Sequence, residues 1–173
     1  MTKTLSLFLL LQPTPPVRAD ATVTITDGAN AIGGATVTIG TDSKTSGEDG
    51  KATFTGLEYG TYTVTASKEG YANATGTLTL NATHSTLTIE MDILDTITIT
   101  VNDGTDAIEG ASVVIGETTK TTDSSGECTF TNMTYKDYSA TVTATGYSNK
   151  TETLQFRSNH KSFTISLEAE GGG

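Results

Sequence analysis

Apolar and polar residues alternate along most of this chain, and the polar partner is usually Thr. Val23 and Ile25 are set between Thr22, Thr24 and Thr26, and Val37 and Ile39 follow Thr36 and Thr38. A period of two places successive side chains on opposite faces of a strand. The same stripe recurs at Ala52 and Phe54, at Tyr62, Val64 and Ala66, at Leu78 and Leu80, and at Leu87, Ile89 and Met91. It returns later as Ile97, Ile99 and Val101, then Val113 and Ile115, Cys128 and Phe130, and Tyr138, Ala140 and Val142. Leu154 and Phe156 follow, and Phe163, Ile165 and Leu167 close the series. No stretch carries helical periodicity. Asp27-Gly28, Gly33-Gly34, Asp49-Gly50 and Gly70 separate the first stripes, and Asp103-Gly104, Gly110, Gly126 and Gly146 the later ones. These are turn residues.

The stripes belong to a duplicated unit. Residues 21–92 align with residues 97–168 at a constant offset of 76 without a gap, and about four positions in ten are identical. The division that follows is an N-terminal apolar, Pro-rich segment (1–20), a first repeat (21–92), a linker (93–96), a second repeat (97–168) and a flexible tail (169–173). A linker so short, lacking Gly and Pro, predicts repeats held end to end with limited swing. About six or seven short strands per repeat, punctuated by turns, predict a β-sandwich.

Each copy carries a "G-A-x-V-x-I-G" strand, a "D/S-G-x-x-x-F" hairpin, a "Y-x-x-Y-x-V/A" segment and a closing "G-Y". In the first repeat these are Gly34 to Gly40, Gly50 to Phe54, Tyr59 to Val64, and Gly70-Tyr71. In the second they are Gly110 to Gly116, Gly126 to Phe130, Tyr135 to Ala140, and Gly146-Tyr147. On these residues both repeats resemble the carboxypeptidase regulatory-like domains, which share a prealbumin-like sandwich with the B-type repeats of bacterial collagen adhesins. The resemblance implies an all-β chain of two tandem immunoglobulin-like (prealbumin-like) β-sandwiches preceded by an extended N-terminal arm. It says little about function. Adhesin repeats often hold a Lys–Asn isopeptide bond. The first strands here (21–27 and 97–102) contain no Lys, so that crosslink is not expected.

Composition narrows the chemistry. The net charge of -10, with 20 acidic and 10 basic residues, disfavours nucleic acid and an anionic membrane surface as partners. Cys128 is the single cysteine, so no intrachain disulfide forms, and its place in the stripe (the slot of Ala52) reads as packing. His84 and His160, one per repeat, are too few for a metal site and read as solvated turn residues. Asp42, Glu48 and Asp49, and likewise Asp103, Asp106 and Glu109, are acidic turns without EF-hand spacing. No nucleophile elbow and no phosphate loop occur, so neither an enzyme nor a cofactor is expected. N-glycosylation triplets begin at Asn73, Asn81, Asn132 and Asn149.

The unrepeated first twenty residues hold the remaining candidate chemistry. Lys3, the apolar run Leu5 to Leu11, and Ala19-Asp20-Ala21 resemble a secretory signal with an A-x-A-like cleavage site. The run is too short to span a membrane. The reading preferred on the sequence is a retained anchoring arm. Leu5, Leu7, Phe8, Leu9, Leu10 and Leu11 then dock on a partner, and Pro13, Pro15 and Pro16 form a stiff extended spacer. The expectation is a non-enzymatic virion accessory subunit, a phage head decoration, head fibre or tail-associated protein. It is anchored on capsid or tail proteins and projects its domains from the virion surface towards a host-surface glycan or protein, with a homo-oligomer possible. The rival expectation is an exported cell-surface adhesin or filament subunit, extracellular, with residues 1–21 as a cleaved leader.

Overall fold

The computed structural model describes residues 15–171, and every regular element among them is a strand. The first repeat runs through β1 (Arg18–Thr26), β2 (Thr36–Ile39), β3 (Asp42–Thr45), β4 (Lys51–Glu58), β5 (Gly60–Ser67), β6 (Ala74–Leu80) and β7 (Thr86–Glu90). The second runs through β8 (Leu94–Asn102), β9 (Ser112–Ile115), β10 (Thr118–Thr121), β11 (Glu127–Thr134), β12 (Asp137–Thr143), β13 (Lys150–Gln155) and β14 (Ser162–Ser166).

Each repeat is a sandwich of a three-stranded and a four-stranded sheet. The orders are β4-β1-β7 and β3-β2-β5-β6, repeated as β11-β8-β14 and β10-β9-β12-β13. Neighbours are antiparallel with one exception per repeat. The first strand lies parallel to the last, with Thr22↔Thr86 through Thr26↔Glu90 and Thr98↔Ser162 through Asn102↔Ser166 in register.

The predicted stripes form the two cores. Val23, Ile25, Val37, Phe54, Val64, Leu78 and Met91 are among the residues that fill the first. Ile97, Ile99, Val113, Phe130, Val142, Phe156 and Ile165 are among those that fill the second. Cys128 is buried in the second core, where it replaces Ala52. At the start of β6 the sheets approach so closely that a Cβ on Gly76 would stand 3.1 Å from Leu87 Cδ2 and 3.2 Å from Ile89 Cγ1. Glycine there lets the edges of the two sheets meet.

Among the described residues, two hydroxyls are the polar side chains buried with the cores. Ser46 Oγ donates to the Ile32 carbonyl at 2.7 Å and accepts from the Ala35 amide at 2.9 Å. Thr122 Oγ1 repeats both bonds, to Ile108 O and from Ala111 N, at the same distances. Each hydroxyl fastens the segment after β3 or β10 to the loop that leads into β2 or β9. A buried hydroxyl is tolerated because its donor and acceptor are both used.

Several elements differ from the sequence reading. β3 and β10 are strands with no inward apolar residue, exposed along their whole length, so alternation could not find them. β1 begins at Arg18, inside the segment read as an arm. β8 begins at Leu94, and Ile93 bridges Tyr71, so the short linker 93–96 is itself paired backbone. Ala169 bridges Tyr147 in the same way beyond the second repeat.

Candidate functional site

Of the residues proposed to anchor the chain, Leu5, Leu7, Phe8, Leu9, Leu10, Leu11 and Pro13 lie outside the described residues. Pro15 and Pro16 are exposed and precede β1 directly. Val17 is 60% exposed, and its carbonyl accepts a 2.9 Å bond from the amide of Tyr59, itself 39% exposed. The next residues belong to the fold. Arg18 pairs with Glu58 at 2.7 Å and donates to the Gly56 carbonyl at 3.1 Å. Ala19 packs against the core, Asp20 accepts from the Gly56 amide at 2.9 Å, and Ala21 is fully buried. Cleavage after Ala21 would remove the rungs Arg18↔Glu58, Ala19↔Leu57 and Ala21↔Phe54 from β1.

Between the repeats the chain is pinned. Ala72 donates to the Asp92 carbonyl and Leu94 to the Gly70 carbonyl, each at 2.8 Å, on either side of the Tyr71↔Ile93 bridge. Gly70 sits at φ +81, a turn conformation in which glycine is free of strain. At the offset of 76, Ser148 donates to Glu168 at 2.8 Å and Glu170 to Gly146 at 2.9 Å around the Tyr147↔Ala169 bridge. The exit from the second repeat copies the exit from the first.

A polar cluster occurs in the second repeat alone. Asp95, on β8, takes Lys161 Nζ and the Tyr135 hydroxyl on Oδ2, the latter at 2.6 Å. Its Oδ1 accepts from the Thr96 amide at 2.8 Å. The bonds from Lys161, Tyr135 and Thr96 pull the Asp95 carboxyl down to about 2. Lys161 is raised by its bond to Asp95, and the Tyr135 hydroxyl is raised by the same bond. The corresponding residues of the first repeat are Ala19, Tyr59 and Ser85, which cannot form it. Condensing Lys161 with Asp95 to an amide would require a neutral amine and a protonated acid. The surroundings favour both charged forms, and the side chains remain 42% and 25% exposed, so the contact is an ion pair.

The acidic turns are occupied by their own loops. Asp27 accepts from the Asn30 and Ala29 amides, and these bonds lower its pKa. Asp103 does the same with Asp106 and Thr105. Asp123 takes the Ser125 hydroxyl and the Glu127 and Ser125 amides. Among the described residues no three His, Cys, Asp or Glu side chains are grouped to hold a metal ion. His84 Nδ1 lies 3.3 Å from the Thr83 hydroxyl, and the His160 ring lies tilted against Phe163 with the ring centres 4.4 Å apart.

The outer face of the β3-β2-β5-β6 sheet has an uninterrupted chemistry. Every outward position is Ser or Thr: Thr36 and Thr38 on β2, Ser43 and Thr45 on β3, Thr61, Thr63, Thr65 and Ser67 on β5, and Thr75, Thr77 and Thr79 on β6. Paired rungs such as Thr36↔Thr45, Thr38↔Thr65 and Thr63↔Thr77 make a hydroxyl lattice without charge. The second repeat keeps it in part, with Asp137, Val114 and Gln155 interrupting it.

Residues 20–92 match the family model of the carboxypeptidase regulatory-like domain. No curated protein matches the chain. Among solved structures it is similar to the Bacillus anthracis TIE protein, at 17% identity over 88% of this chain and 34% of that one, with a TM-score of 0.42. It is similar to a Streptococcal ancillary pilin at 14% identity, covering 88% and 62%, with a TM-score of 0.47. GBS52, the minor pilin of Streptococcus agalactiae, gives 16%, 88% and 98%, and 0.44. The chain thus spans about a third of the TIE protein and 62% of the ancillary pilin. At these identities the likeness is one of fold alone.

Proposed function

With a carboxypeptidase regulatory-like domain at residues 20–92 as the premise, we propose that this protein is a non-enzymatic subunit displayed outside the cell, an exported surface adhesin or filament subunit. The observation that carries this reading is what the two repeats hold in common. They share core, turns, the Ser46/Thr122 hydroxyl bonds and the pinned exit, while their charged clusters diverge. What the repeats share is a building element and its coupling to the next element. The uncharged Ser/Thr face offers many weak donors and acceptors, suited to shallow contact with a host-surface glycan or protein.

The leader pattern of Lys3 and Leu5–Leu11 supports export. Processing then falls upstream of Arg18, because Arg18, Ala19 and Asp20 are bonded into the first sheet. A virion accessory subunit, docked on capsid or tail proteins through Leu5–Leu11, differs in keeping that segment.

Mass spectrometry of the N-terminus of the protein from its native source separates the two. A mature chain beginning between Gln12 and Val17 is the outcome expected for export. A chain that retains Leu5–Leu11 sinks the exported reading and leaves the anchored particle subunit.

A further inference from the structure

The path of the chain through each repeat determines how a pull on its ends is borne. The chain enters at the start of β1 and leaves at the end of β7, and these strands are adjacent and parallel. Entry and exit therefore lie at opposite ends of the repeat. Tension along the chain slides β1 against β7, and the rungs from Thr22↔Thr86 to Thr26↔Glu90 take the load together, because the evenly spaced ladder bonds all bridge the two strands that slide. The second repeat is built alike, through Thr98↔Ser162 to Asn102↔Ser166. Both exits are tied back to the first strand: Met91 donates to Thr26 O and Leu167 to Asn102 O, each at 2.8 Å. Little slack intervenes between the repeats, since Leu94 bonds Gly70 and already begins β8.

We propose that the protein is a tension-bearing tether whose terminal strand pairs are loaded in shear, and that the Asp95–Lys161 pair makes the second repeat the slower to yield. Asp95 stands next to the start of β8 and Lys161 immediately before β14, so the motion that parts the strands also parts these charges. Tyr135 further ties Asp95 to the residue that follows β11. The first repeat has Ala19 and Ser85 at the paired positions and yields first. An exposed ion pair adds little to equilibrium stability. Forced unfolding, however, follows the unfolding rate, and a contact already lost at the transition state slows that rate by its full strength. The inference rests on strand path and holds whatever the protein binds.

Stretching the full chain by its two ends in an optical trap tests it. Two unfolding steps of unequal lifetime are expected, each releasing on the order of 3.3–3.6 Å per residue of one repeat. Lys161→Met should shorten the longer lifetime severalfold and leave the shorter one unchanged, and Lys161→Arg should restore it. Handles at residues 18 and 58, which share a terminal rung, should instead peel β1 from β4 rung by rung at a clearly lower force. Equal forces in the two geometries overturn the shear arrangement. Lifetimes that Lys161→Met leaves alone, or shortens equally in both steps, overturn the role of the ion pair.

Discussion

Ser46 in the first repeat and Thr122 in the second make the same two hydrogen bonds from buried hydroxyls, each 4% exposed. The structure has thus performed its own conservative substitution. Ser46→Thr should leave stability nearly unchanged. Ser46→Ala orphans the Ala35 amide and the Ile32 carbonyl and should cost about 1–3 kcal/mol. Urea unfolding of the two variants, with the midpoint shift read at constant slope, is the measurement.

Gly50 and Gly40 both have positive φ, at +73 and +59, but only one is crowded. A Cβ on Gly50 would lie 2.5 Å from the Ile25 carbonyl oxygen and 3.2 Å from Ala31 Cβ, whereas Gly40 has open space around it. Gly40→Ala should cost roughly 1–2 kcal/mol from backbone strain alone. Gly50→Ala should cost clearly more and can prevent the first repeat from folding. Thermal unfolding of the pair settles the order.

Asp95 gives the second repeat a pH signature. Its folded pKa is depressed from 3.8 to about 2, so the stability it contributes is complete above about pH 4 and is lost as pH falls towards 2. Asp95→Asn should melt below wild type at neutral pH, and the gap should close between pH 4 and pH 2. A gap that persists at pH 2 would assign the loss to packing and not to charge.

Cys128 should be inert. Burial, with Asp123 and Glu127 nearby, pushes its thiol up to about 11, so almost no thiolate exists at neutral pH. Thiol reagents should label it only after unfolding. Cys128→Ala, which reproduces Ala52, should cost roughly 1 kcal/mol or less. Rapid labelling of the native protein is the contrary result.

The strands with an apolar stripe were legible in the sequence because burial on one face imposes a period of two, and the turns because Gly and Asp mark them. β3 and β10 were not, since Asp42–Thr45 and Thr118–Thr121 bury nothing and are held by pairing to β2 and β9. The start of β1 was obscured because Arg18 and Asp20 act through polar bonds to Glu58 and Gly56. The Asp95 cluster joins residues 66 apart, beyond any local pattern. One signal for it was present: at the shared offset Ala19 becomes Asp95 and Ser85 becomes Lys161, an acid and a base gained together. Two opposite charges appearing in one copy, beside strands that neighbour each other, point to a contact.

The bonds Leu94–Gly70 and Glu170–Gly146 are one seam made twice, and each ties the chain leaving a repeat back to a turn of that repeat. A gene encoding such a unit can be lengthened by copying it in frame, because each new unit arrives with its own fastening for the next. Reach then becomes a heritable quantity counted in whole modules, adjustable by unequal recombination with no residue at any joint having to change.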